Sequence, residues 1–101
     1  TGEILGFSVE LKSDRLDMPI RAMTSIEVEG KRTDDVVRRL SGLPEVRTIH
    51  STNGRWDLIA EIATKDLEDF DEVLRRIRLI EGITVSETSL LLSTRKKARI
   101  R

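Results

Sequence analysis

Asp34-Asp35-Val36-Val37-Arg38-Arg39-Leu40 and Asp71-Glu72-Val73-Leu74-Arg75-Arg76-Ile77 follow one pattern: two acids, two apolar residues, two arginines, one apolar residue. The shift that lays the first on the second also lays Val46 on Ile83, and each of these opens an extended run. A single amphipathic heptad repeats easily by chance. A match that also keeps the following strand and the order of elements reads as a repeated unit of strand, helix and strand.

Between the two units lies Ile49-His50-Ser51-Thr52-Asn53-Gly54-Arg55-Trp56-Asp57-Leu58-Ile59. Asn53-Gly54 is a strong hairpin signal, because both residues tolerate positive φ and such turns match the twist of antiparallel strands. Around the turn stand the only Trp, the only His, an Arg and an Asp. Turn chemistry by itself leaves two readings: Trp56 packs on the sheet with Arg55 in water, or the loop carries a polar site.

The remaining elements follow from periodicity. Ile20 to Glu29 alternates, with Ala22, Thr24, Ile26 and Val28 on one side and Met23, Ser25, Glu27 and Glu29 on the other. Thr33 is expected to cap the first helix, Asp34 and Asp35 suit its dipole, and Gly42 and Pro44 stop it. Val46 to Thr52 enters the hairpin, and Leu58, Ala60 and Ile62 line one face of the returning strand. In the second helix Asp66 is the expected cap with Asp69 three residues on, and Leu67, Phe70, Val73, Leu74, Ile77 and Ile80 mark one face. Gly82 ends it, and Ile83 to Leu92 is the last strand. Before all this, Phe7, Val9 and Leu11 alternate within an extended leading stretch, and Lys12 to Pro19 reads as a connector.

The order β-α-β-β-α-β predicts an α+β, ferredoxin-like sandwich with both helices on one face of a four-stranded sheet, plus the additional N-terminal strand. The expected divisions are a linking strand and connector over 1–19, a compact domain over 20–94 and a basic tail over 95–101. The other face of the sheet is then bare, and apolar sheet of several hundred square ångströms seeks a partner. Leu90-Leu91-Leu92 adds to this, since one layer of helices cannot cover three consecutive leucines. A homodimer joined sheet face to sheet face is expected, with the leading strand reinforcing it.

Composition narrows the function classes. The chain of 101 residues is 38% hydrophobic and 36% charged, as in a soluble domain. No apolar run approaches a membrane span and no signal peptide is evident. The absence of cysteine removes disulfides and thiol chemistry and fits a cytoplasmic protein. Five of the 18 basic side chains lie in residues 95–101, so the rest of the chain is net acidic, with 18 acids against the remaining bases. An acidic body with two Phe, one Trp and no Tyr is a poor RNA-binding sheet. The tail reads as solvated terminus. His50 and Asp57 straddle the hairpin without a third catalytic member, and one His with scattered carboxylates matches no metal-ligand spacing. No catalytic residue, metal or cofactor is expected.

Leu43-Pro44-Glu45-Val46, Thr52-Asn53-Gly54-Arg55-Trp56-Asp57-Leu58, Asp66-Leu67 with Phe70, and Ile80-Glu81-Gly82-Ile83 leading to Thr88 together resemble the C-terminal effector-binding and oligomerisation (RAM) domain of Lrp/AsnC transcriptional regulators. The resemblance covers about Gly6 to Leu92. It departs from the family's usual hairpin at Arg55, where an acidic or small polar residue is commoner, and at Trp56, where a tyrosine or phenylalanine is. The resemblance implies a dimer that assembles further, commonly to an octamer, and a small effector, commonly an amino acid, bound near the hairpin at dimer-dimer contacts. It points to His50, Asn53, Gly54, Arg55, Trp56 and Asp57 as ligand-binding residues, with Thr88 and Ser89 added from the last strand. DNA would be read by an N-terminal helix-turn-helix that this sequence lacks, so Thr1 fits a truncated regulator, a stand-alone effector domain being the alternative. Two other functions are weighed: a purely structural oligomerisation module, and a small dimeric ferredoxin-like enzyme using His50.

Overall fold

The computed structural model describes residues 18–98. The expected leading strand, most of the connector and the end of the basic tail lie outside the described residues.

The chain runs β1 (Ile20–Val28), α1 (Thr33–Ser41), β2 (Val46–Ser51), β3 (Leu58–Thr64), α2 (Leu67–Arg78) and β4 (Ile83–Leu90). The strands form one antiparallel sheet in the order β2-β3-β1-β4. The first strand of each repeated unit is therefore central, and the second strand of each lies at an edge. This is the α+β, ferredoxin-like arrangement expected from the repeat.

Alternation in β1 and β3 sorts the two faces. Ala22, Thr24, Ile26 and Val28 are buried, as are Leu58, Ala60 and Ile62, which lie beside them in register. Ile26, Val28, Leu58 and Ile62 share one cluster with Val36 and Leu40 of α1 and Val73 and Ile77 of α2. Each helix buries in this layer two residues one turn apart on its inner side, with Val37 of α1 and Phe70 and Leu74 of α2 packed against them. On the opposite face lie Met23 and Ser25 of β1, Ile59 and Glu61 of β3, and Val85, Glu87 and Ser89 of β4. Arg21 pairs with Glu61 across this face at 3.0 Å.

Several local expectations are corrected. Thr33 lies within α1 rather than capping it; Arg32 holds the cap position and no side chain caps the helix. Asp66 does cap α2, its Oδ1 accepting from the Asp69 N–H at 2.8 Å. Leu67 is exposed, because it sits where the chain enters α2. The helix ends at Arg78, and Ile80 reaches the core from the loop beyond. β4 stops at Leu90, although the Leu91 N–H still donates to the Arg21 carbonyl at 2.8 Å; Leu90, Leu91 and Leu92 are all exposed in the single chain.

Two ties hold the C-terminal end of β1. Gly82 adopts φ +107, a left-handed conformation open to glycine, and its carbonyl accepts from the Glu29 N–H at 2.8 Å. A Cβ there would stand 3.0 Å from Val36 Cγ2. The second tie is Asp57: its N–H donates to the Ile26 carbonyl at 2.9 Å, and its Oδ2 accepts from the Val28 N–H at 2.7 Å. The loop after β2 is thereby bonded to the end of β1, one strand beyond its hairpin partner. No helix among the described residues is long and apolar enough to cross a membrane.

Gly82→Ala is expected to lower the unfolding free energy by about 1–3 kcal/mol through backbone strain and crowding of Val36. Asp57→Ala should cost about 1–3 kcal/mol by orphaning the Val28 N–H, with Asp57→Asn milder because its amide oxygen still accepts. Urea unfolding of the three variants checks both values.

Candidate functional site

The hairpin connection runs from Thr52 to Asp57, longer than a two-residue Asn-Gly turn. Among the described residues only Gly30 and Gly82 have positive φ, so Asn53 and Gly54 do not make the mirror-image turn expected from their type. Thr52 organises the loop instead. Its hydroxyl donates to the Trp56 carbonyl at 2.5 Å and accepts from the Gly54 N–H at 3.3 Å, while its N–H donates to the Asp57 carbonyl at 3.3 Å. The sequence marked the right place and the wrong turn, because a hydroxyl bridge within a longer loop satisfies the same backbone groups.

This scaffold presents Asn53, Gly54 and Arg55 to solvent. The Arg55 guanidinium lies 4.5 Å from the centre of the half-buried Trp56 ring, a cation-π stack that occupies one face of each group and leaves the guanidinium edge able to donate. Nothing lies within 4 Å of the position a Gly54 Cβ would take, so the loop tip is open around that residue. Asp57 is the most constrained member of the set. With Oδ2 on the Val28 N–H, at most the other oxygen is left for a ligand.

His50 is exposed on edge strand β2, opposite Ile59 and on the face away from the helices. It lines none of the three clefts described here. Among the described residues no group of three or more His, Asp or Glu side chains is placed to hold a metal.

Thr88 and Ser89 lie apart from the hairpin. They belong to β4, at the other edge of the sheet, and are neighbours on a strand, so they face opposite sides. The Thr88 hydroxyl lies 3.0 Å from that of Thr24 on the helix side, where Thr88 and Ser86 face Leu74, Ile77 and Arg78 across a cleft of about 220 Å³. Ser89 stands opposite Met23 on the bare face. Within one chain, the hairpin residues form a group and the two β4 residues do not join it.

A second feature lies outside the set expected from sequence. Met18, Pro44, Glu45, Arg47, Ala63, Thr64, Lys65 and Asp69 line a cleft of about 160 Å³ at the other end of the β2-β3 ribbon. Lys65 Nζ is 2.6 Å from Asp69 Oδ2, and this bond, with the charge behind it, raises the ammonium pKa above its ordinary value. Pro44-Glu45-Val46-Arg47 reads in sequence only as the start of a strand, and no spacing rule marks it as a site.

Residues 21–100 match the model of the Lrp/AsnC ligand binding domain. The chain is 27% identical to the HTH-type transcriptional regulator FL11 of Pyrococcus furiosus, with 96% of the chain aligned but only 64% of that relative covered. It is 31% identical over 74 residues to a homocitrate synthase of Sulfurisphaera tokodaii, the match taking in 72% of the chain and 16% of that enzyme. Among solved structures, a protein of Thermus thermophilus superposes with a TM-score of 0.71 at 30% identity, over 77% of this chain and 99% of that one. A transcriptional regulator of Neisseria meningitidis in complex with L-Met superposes with a TM-score of 0.72 at 18% identity, over 83% of this chain and 56% of that one. With the strand order, the helix layer and most of its length matched, the chain belongs to the Lrp/AsnC ligand-binding domain family.

Proposed function

We propose that this chain is the effector-sensing and oligomerisation module of an Lrp/AsnC-type transcriptional regulator. Its effector is a small molecule of amino-acid type, held around His50, Asn53, Gly54, Arg55, Trp56 and Asp57 where dimers meet. Thr88 and Ser89 contribute from other copies of the chain. The observation that carries this reading is the separation of the hairpin from β4. The loop ends in exposed donors and a stacked arginine, and β4 lies at the opposite edge of the sheet, so among the described residues no wall faces them and a neighbouring subunit is the one we assign to close the pocket.

The chemistry is that of a zwitterion. Arg55, pre-oriented by Trp56, pairs with a carboxylate; the free oxygen of Asp57 meets the ammonium; the exposed part of the indole covers the side chain. A ligand bound across two dimers favours one arrangement of the assembly over another. In an intact regulator that preference is passed to an N-terminal helix-turn-helix and so to DNA. The Neisseria relative solved with L-Met supports the ligand class. The likeness to a stretch of a homocitrate synthase fits a module whose output depends on what it is joined to. The dimer forms through the bare sheet face, where Met23, Ile59 and Val85 supply apolar surface. A purely structural module is the competing reading, and its mark is assembly without ligand.

Calorimetric titration with a panel of amino acids is expected to find at least one that binds. Arg55→Ala and Gly54→Ala should each weaken it by about tenfold, the first by removing a charged hydrogen bond and the second by filling space the ligand needs. Melting temperature should barely change in either variant, since neither residue braces the subunit. Absence of binding across the panel favours the structural module. In a separate measurement, Ile59→Arg should shift sedimentation toward a folded particle of 11.5 kDa, and an unchanged assembly would refute the sheet-face dimer.

A further inference from the structure

We propose that Asn53-Gly54 is a self-modifying site: the Gly54 backbone nitrogen converts the Asn53 carboxamide to a carboxylate and so places a negative charge beside Arg55. The chemical step stands whether or not the hairpin holds an effector. Its consequence for binding rests on the function proposed above.

The reaction uses only groups of the loop and water. The Gly54 nitrogen, as its anion, attacks Asn53 Cγ; the N–Cγ bond closes a succinimide ring, the Cγ–Nδ2 bond breaks, and ammonia leaves with the proton that the nitrogen gave up. Water then adds across one of the two ring C–N bonds. Opening at one carbonyl gives aspartate, and opening at the other gives isoaspartate, in which the main chain runs through the former side chain. The net change is amide and water to carboxylate and ammonium.

The loop leaves both reacting groups free to meet. Asn53 and Gly54 are exposed. Thr52 makes the bonds that shape the loop, and none among the described residues engages the Asn53 carboxamide. The Gly54 N–H is held by the Thr52 hydroxyl at 3.3 Å, longer than the usual range, so releasing it costs little. Glycine has no Cβ to crowd the closing ring, and the space where one would stand is open to 4 Å. Asn53 is also the only carboxamide side chain in the sequence, which has no glutamine.

The charge lands where it matters. The tip Asn53-Gly54-Arg55 carries one positive charge, and conversion makes it neutral. At an exposed site an ion pair and a cation-π stack are of similar strength. The new carboxylate therefore draws the Arg55 guanidinium off the Trp56 ring, 4.5 Å away, for part of the time and occupies the edge assigned above to the effector. Closure of the loop by ligand and a neighbouring subunit shields both reacting groups. Conversion thus accumulates in subunits that lack them, and a loop left empty loses its response.

The native chain, Ile59→Arg, Asn53→Gln and Gly54→Ala, incubated side by side in mildly alkaline buffer and followed by intact mass, test the step. The native chain and Ile59→Arg are expected to gain the mass of an –NH2 to –OH exchange, faster as pH rises because the nitrogen attacks as its anion. Gly54→Ala should slow the gain at least about tenfold, and Asn53→Gln, whose amide stands one methylene further off, should lose it. No gain in either the native chain or Ile59→Arg overturns the proposal, as does an equal gain in Asn53→Gln, which assigns the hydrolysis to solvent alone. Trp56, the only indole, reads the charge: the emission of aged native protein and of Asn53→Asp should move to longer wavelength as the guanidinium leaves the ring, and an unchanged spectrum in Asn53→Asp overturns the link to Arg55. A mass gain in a chain that binds no amino acid supports the conversion and counts against the effector reading, so the two fail separately.

Discussion

Ile26, Leu58 and Ile62 from the sheet meet Val36, Leu40, Val73 and Ile77 from the helices in one apolar layer, and closing that layer orients everything else. Two helices cover one side of a four-stranded sheet, so burial of apolar surface is complete on that side only. The strands alternate, and each residue turned inward turns its neighbours toward the bare face. Met23, Ile59 and Val85 face away from the helices for the same reason that Ala22, Ala60 and Ser86 face toward them. A face left uncovered by helices, where Met23, Ile59 and Val85 lie among Ser25, Glu61, Glu87 and Ser89, is the consequence of having a single core.

The same topology explains how function is distributed. Placing the first strand of each unit in the centre sends β2 and β4 to opposite edges. The hairpin therefore projects from one corner, tied back to β1 through Asp57, and β4 lies at the opposite edge from it. Asp57 has a double character. Its contact with the Val28 N–H is a structural bond of the subunit, so the loss of its side chain acts on the fold as well as on anything the loop holds. The Arg55 side chain stacks on Trp56 alone and a Cβ at Gly54 would meet nothing within 4 Å, so changes at either leave the tie to β1 intact.

The β2-β3 ribbon carries the exposed hairpin loop at one end and the cleft beside α2 at the other. At the hairpin the polar groups are exposed and lack a facing wall. The cleft beside α2 is instead walled by residues of one subunit.

Much of this was legible in the chain itself. The repeated heptad, the alternation of Ile20 to Glu29 and the Asp66 cap specified element order and inner face, because those signals depend only on local periodicity and on backbone groups a few residues apart. The resemblance carried by Leu43 to Val46 and Thr52 to Leu58 pointed to the same domain. The turn at Asn53-Gly54 was misread in detail, since the Thr52 hydroxyl outcompeted the two-residue geometry. The bond from Asp57 to Val28, the distance of Thr88 and Ser89 from the hairpin, and the bulge between Val46 and Thr48 that turns Arg47 into a cleft belong to tertiary structure alone. Each depends on which strands become neighbours, and that is decided by packing between segments far apart in sequence, where no local pattern carries the information.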